Sequence, residues 1–192
     1  MLLLIVGLVL FLGIHSTNIL APDFRTAMVG KLGLFGWKGL YAVIALIGFV
    51  LIVIGYGEAR MQPTWLWVSP VWTRHLAALL MLPAFVFLVA TYVPGTRLKA
   101  RMGHPMLLAT KIWALSHLIA NGTLADVLLF GAFLAWAVLA FIILRRRDRA
   151  TGKSYPAVGI SRDMIAVVLG VVLWAVFAMY LHRVLIGVGP FG

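Results

Sequence analysis

The chain contains no cysteine and only five carboxylates in 192 residues. Without thiols there are no disulfides and no thiolate metal sites, so a metal centre would depend on His, carboxylate, Met or backbone ligands. The five acids are Asp23, Glu58, Asp126, Asp148 and Asp163. They form no cluster suited to a hard divalent ion, and only Asp126 stands where an apolar run opens. A proton-coupled transporter usually needs an intramembrane carboxylate, so transport is the weaker reading. A glycine-rich phosphate loop with its lysine is missing, as is a credible Ser-His-Asp set. Charge is scarce as well, at 11% of residues against 64% apolar. So little polar surface cannot cover a water-facing shell, and lipid must be the solvent for most of the chain.

At roughly 20 apolar residues per helical span, the length allows about six transmembrane helices and little else. The expected fold is therefore all-α and polytopic, a single domain over residues 1–192. Apolar runs cover Met1 to Leu20, Lys38 to Tyr56, His75 to Val93, Pro105 to Asn121, Leu124 to Leu144 and Met164 to Ile186. Each is bounded by Gly, Pro or charge. The first run has no basic leader and no small-x-small cleavage site, and reads as a retained helix. Asn121-Gly122-Thr123 is a turn signal that makes the fourth and fifth runs an antiparallel hairpin. Gly30, Gly33, Gly36 and Gly39 recur at every third position. That spacing suits either close helix approach or a flexible loop, and the pattern alone does not choose.

The net charge of +11 is best read as a topology signal and as contact with anionic lipid, not as a nucleic-acid footprint. Twelve of the sixteen Lys and Arg residues follow the odd-numbered runs: Arg25, Lys31, Lys38, Arg97, Lys99, Arg101, Arg145, Arg146, Arg147, Arg149, Lys153 and Arg162. Arg60, Arg74 and Arg183 lie on the opposite side, and Lys111 lies within a span. Both termini are then expected to be external, periplasmic in a bacterial inner membrane. The Arg145-Arg146-Arg147 run reads first as a stop-transfer anchor.

Polar side chains inside a bilayer need a partner or a purpose. His15 lies near the inner end of the first run, on a face with Leu8, Phe11 and Leu12. His117 stands one turn after Trp113 and one turn before Asn121, so these three share a stripe. Such a stripe could pack a flat ring, coordinate its metal and bond a polar substituent. An interhelical hydrogen bond would satisfy either histidine equally well, and both accounts stand. His75, beside Arg74, and His182, beside Arg183, read as solvated or lipid-facing. His104 precedes Pro105, which pushes it out of helical geometry. It is placed to cap the next helix or to serve as a third ligand.

Several segments carry a family resemblance. Leu10-Phe11-Leu12-Gly13-Ile14-His15-Ser16, Gly39-Leu40-Tyr41, Gly103-His104-Pro105 and the block from Trp113 to Gly122 resemble the NnrU family of membrane proteins. That family is linked to denitrification and includes the 15-cis-zeta-carotene isomerases. The resemblance implies haem b held by histidines that match His15 and His117. The isomerases carry a cysteine at the position of Ala114, so a cysteine-for-histidine ligand exchange does not carry over. The His-Pro element is also similar to that of membrane methyltransferases, but Gly103 stands where those enzymes place Arg. In the six-span topology His15 and His117 differ in depth by roughly 10 Å at 1.5 Å rise per residue. A deeper start of the fourth helix would remove the offset, and His104 is the reserve partner of His15.

The leading expectation is a haem b protein linked to nitrite or nitric oxide metabolism. Trp113 would pack on the macrocycle, Asn121 would bond a polar group, and Arg25 or Lys31 would pair with the propionates. A carotene isomerase-like enzyme acting on a small apolar substrate is the alternative. A cofactor-free scaffold or transporter is the third.

Overall fold

A computed structural model describes residues 1–191 of the chain. The helices are α1 (Leu2–Leu20), α2 (Pro22–Met61), α3 (Trp72–Tyr92), α4 (Arg97–Met102), α5 (Pro105–Ala120), α6 (Leu124–Ala150) and α7 (Ile160–Ile186). No strand is present among the described residues, only an isolated bridge between Trp65 and Thr123. Five helices (α1, α2, α3, α6 and α7) are long and apolar enough to cross a bilayer, while α5 has 16 residues. The chain is an all-helical membrane protein, and every apolar run read from the sequence forms a helix.

Two helices extend well beyond their apolar runs, α2 and α6, while α3 and α7 start only three and four residues early. α2 starts at Pro22, not Lys38, because proline suits the first helical turn, and Gly33 (φ 71°, ψ 167°) breaks it internally. α6 continues past Leu144 to Ala150. Apolarity limits how much of a helix lies in lipid but not its length, and arginine is a good helix former.

The chain divides into two compact units, the division falling inside α6 at Ala132. The first holds Met1–Leu66 and Thr123–Ala132. Here α1 and α2 pack as an antiparallel pair through glycine. A Cβ on Gly7 would lie 2.6 Å from Ile52 N, one on Gly48 2.7 Å from Phe11 N, and one on Gly55 2.2 Å from Leu4 N. All three neighbours are backbone, so only glycine permits this approach. The row of glycines at every third residue does not perform this role. Gly30, Gly33 and Gly39 face open space, and Gly36 meets only the Leu32 side chain. The row lies within α2, and its one special conformation is the positive φ of Gly33 that breaks the helix.

At the far end of this pair Asp126 is buried and fully used. It accepts hydrogen bonds from the Tyr56 hydroxyl at 2.6 Å, the Thr123 hydroxyl at 2.6 Å and the Thr123 N–H at 3.0 Å. Thr123 Oγ1 in turn accepts from the Asp126 N–H at 3.2 Å, a reciprocal cap on the first turn of α6. A carboxylate with three donors serves to fix the α6 start against α2, which answers what the one acid at the head of an apolar run does.

The second unit holds residues 67–122 and 133 onward. α3 packs against α5 and α7. Gly170 of α7 lies so close to α3 that a Cβ would sit 2.7 Å from Val86 Cα. The Trp174 indole N–H donates to the Ala78 carbonyl at 2.8 Å. α7 carries one π turn over Phe177–Leu181. On the other end, α4 is capped by Thr96, whose hydroxyl accepts from Lys99 N–H at 3.1 Å, and the Leu98 N–H donates to Asp163 at 3.2 Å. The segment before α3 meets the end of α5, where Trp67 N–H donates to the Gly122 carbonyl at 3.2 Å.

Candidate functional site

His15 sits in the first unit within a continuous set of aromatic rings contributed by α1 and α2. Its ring lies 4.2 Å from Phe11 and 5.3 Å from Tyr41, centroid to centroid. Tyr41 touches Trp37 at 6.5 Å, Trp37 touches Phe24 at 6.1 Å, and Phe11 touches Phe49 at 6.4 Å. The apolar face expected around His15 is therefore specifically aromatic, and Tyr41 comes from α2, where sequence spacing on α1 could not reveal it. His15 Nδ1 lies 2.6 Å from the Phe11 carbonyl, one turn earlier. A carbonyl only accepts, so Nδ1 carries the hydrogen and Nε2 the lone pair. Arg25 is half-buried on α2 in the same unit.

His117 repeats the arrangement in the second unit. Its Nδ1 lies 2.8 Å from the Trp113 carbonyl, with the Ser116 hydroxyl at 3.3 Å. Here too the lone pair falls on Nε2. The Trp113 ring lies 5.6 Å from the His117 ring and meets Phe133 of α6 edge-on at 5.3 Å. Asn121 is the C-cap of α5, and its Nδ2 donates to the His117 carbonyl at 2.9 Å. The stripe Trp113, His117, Asn121 is thus real, and its asparagine amide is engaged in ending the helix.

In both histidines one ring nitrogen is fixed by a carbonyl of its own helix, which orients the imidazole and sets its tautomer. No group of three or more His or carboxylate side chains able to hold a metal ion occurs among the described residues. A bare ion needs three or four protein ligands. An iron already held in a macrocycle needs only one or two axial ligands to complete its coordination.

His104 occupies the N-cap of α5 but makes no side-chain cap. Instead its Nε2 lies 2.9 Å from Asp148 Oδ2. The contact lacks the alignment of a hydrogen bond. Tyr155 donates its hydroxyl to the same Oδ2 at 3.1 Å, and the rings of Phe141 and Tyr155 stand edge-on to His104. Burial holds the His104 ring below the ordinary histidine value. The Asp148 carboxylate pulls the other way, and Lys153 and Arg145 add to the depression. Asp148 was not singled out in the sequence because it stands among arginines, as a solvated loop acid would. The signal that finds it is helical: seven residues beyond Phe141 on α6, it continues that residue's face.

His75 is exposed, in line with the sequence reading. His182 is not simply solvated, since its Nδ1 lies 2.6 Å from the Val188 carbonyl. That bond belongs to the turn ending α7, which the residue pattern did not mark.

Comparison with curated proteins and with solved structures returns no match. Comparison with family models does: the model of the NnrU protein matches residues 3–190, which takes in both units and His15, His104 and His117. With that match running through nearly its whole length, the chain belongs to the NnrU family.

Proposed function

We propose that the protein binds haem b, with His15 and His117 as the axial ligand candidates, and serves nitrite or nitric oxide metabolism in the bacterial inner membrane. The observation that carries this reading is the shared state of the two rings. Each has Nδ1 held by the carbonyl four residues earlier, at 2.6 Å and 2.8 Å, so in both the lone pair that a metal would take is on Nε2. Haem, when bound, supplies electron transfer or small-gas binding at iron. The chain's own part is to orient the imidazoles, to exclude water with the aromatic rings around His15 and with Trp113, and to pair propionates through Arg25 or Lys31. The isomerase-like alternative is the weaker one, since the fully buried Ala114 offers no thiolate.

Protein purified from cells able to make haem is expected to show a Soret band and close to one haem per chain. A spectrum that stays blank after reconstitution with haem overturns the proposal and favours a cofactor-free role.

The same reading includes α5 as a sixth, short crossing, with both termini external and the twelve loop cations cytoplasmic. The bond between Trp67 and Gly122 supports it. The segment entering α3 and the segment leaving α5 meet there, so a chain that crosses along α3 returns along α5. Because the sequence has no cysteine, single cysteines report sidedness directly. Met61→Cys is expected to react with an impermeant maleimide in intact spheroplasts, and Ala157→Cys only after permeabilisation. The reverse pattern inverts the topology.

A further inference from the structure

We infer that the seam between α5 and α6 holds one anionic phospholipid, its phosphate bound by Lys111. Lys111 is half-buried in the apolar helix α5. Its ammonium lies 3.8 Å from the centroid of the Phe141 ring, and among the described residues it makes no ion pair or hydrogen bond. An ammonium in lipid without an anion is costly, and a ring face offsets only part of that cost.

Among the described residues no acid pairs with this cation. Lys111 stands seven residues after His104, on the same face of α5 and roughly 10 Å along it. The one carboxylate along that seam, Asp148, is already taken by His104 and Tyr155. Arg145 adds a second cation at the same end, its guanidinium close to Gly103. The seam thus presents more positive charge than its own acid can match, and the missing partner is an anion from outside the chain.

The position selects the kind of anion. Helical side chains lean toward the N-terminus of their helix, so Lys111 points toward the His104 end, where the basic loops meet a leaflet. A headgroup phosphate can descend to it from there. Leu115, one turn further along on the same face, is an exposed apolar surface for an acyl chain.

The inference rests on α5 lying in the bilayer and not on haem, so a missing Soret band and a missing lipid preference are separate results. Native mass spectrometry of the full chain, in detergent with equimolar phosphatidylglycerol and phosphatidylethanolamine, is expected to retain one phosphatidylglycerol with about fivefold preference. Lys111→Gln should abolish the preference and Lys111→Arg should keep it. The double variant Arg146→Gln/Arg149→Gln, which alters exposed helix-end cations, should keep it too. Lys111→Met, similar in length but uncharged, stands in should the glutamine variant not fold. No preference in the wild-type chain overturns the site, as does full preference in both uncharged variants. An equal loss in the double variant also overturns it, because that marks diffuse attraction to the leaflet.

Discussion

Gly55→Leu is expected to leave little folded protein, or to lower stability by about 3 kcal/mol or more. A side chain at Gly55 would meet Leu4 N at 2.2 Å, Leu3 C at 2.7 Å and Leu4 Cα at 2.8 Å. These are backbone atoms, so no rotamer change relieves the overlap, and α1 must back away from α2. Leu4 is fully buried at 0% exposure, so that retreat opens a gap at the end of the pair where packing is tightest. The same approach recurs at Gly7 and Gly48, which keeps α1 from pivoting around the clash. Gly57→Leu is the control. It lies two residues away, meets nothing within 4 Å, and gains helix propensity, so its stability should stay within about 1 kcal/mol of wild type. Thermal unfolding in detergent, together with the yield of monodisperse protein, compares the two. Equal stability for both variants would mean that α1 and α2 do not pack at this distance.

His15→Ala and His117→Ala are each expected to lower haem occupancy at least about tenfold while helicity is unchanged. Each ring is oriented by its own helix, and alanine removes the donor nitrogen without touching the glycine contacts or the Asp126 network. His75→Ala and His182→Ala should retain full occupancy, the first because its ring is exposed and the second because its bond closes a turn. His104→Ala separates the reserve ligand from the primary one. Since Asp148 lies 2.9 Å from its Nε2, this variant is expected to loosen the α5 start and leave haem bound. Full occupancy in His117→Ala with loss in His104→Ala would exchange the two assignments. Full occupancy in both His15→Ala and His117→Ala would leave haem without either proposed ligand.

Much of this was legible because lipid imposes a strict rule on sequence. A backbone crossing a bilayer must satisfy its own hydrogen bonds, so apolar runs of span length become helices whatever they pack against. The six runs, the Asn121-Gly122-Thr123 turn and the Trp113, His117, Asn121 stripe are all local in this sense and could be read from spacing. His15 and His117 were legible as candidates for the same reason, since imidazole is conspicuous in an apolar run.

What tertiary structure alone decided depends on which helices meet. Spacing made the glycine row from Gly30 to Gly39 look like a packing motif, yet the close approaches occur at Gly7, Gly48 and Gly55, because proximity is a property of two helices. Tyr41 beside His15, Tyr56 on Asp126, Asp148 beside His104 and Phe141 under Lys111 each join residues from different helices. Along one chain a carboxylate among arginines is indistinguishable from a solvated loop acid. It becomes a buried partner only when α6 continues as helix past the apolar limit and carries Asp148 to the corner where α5 begins.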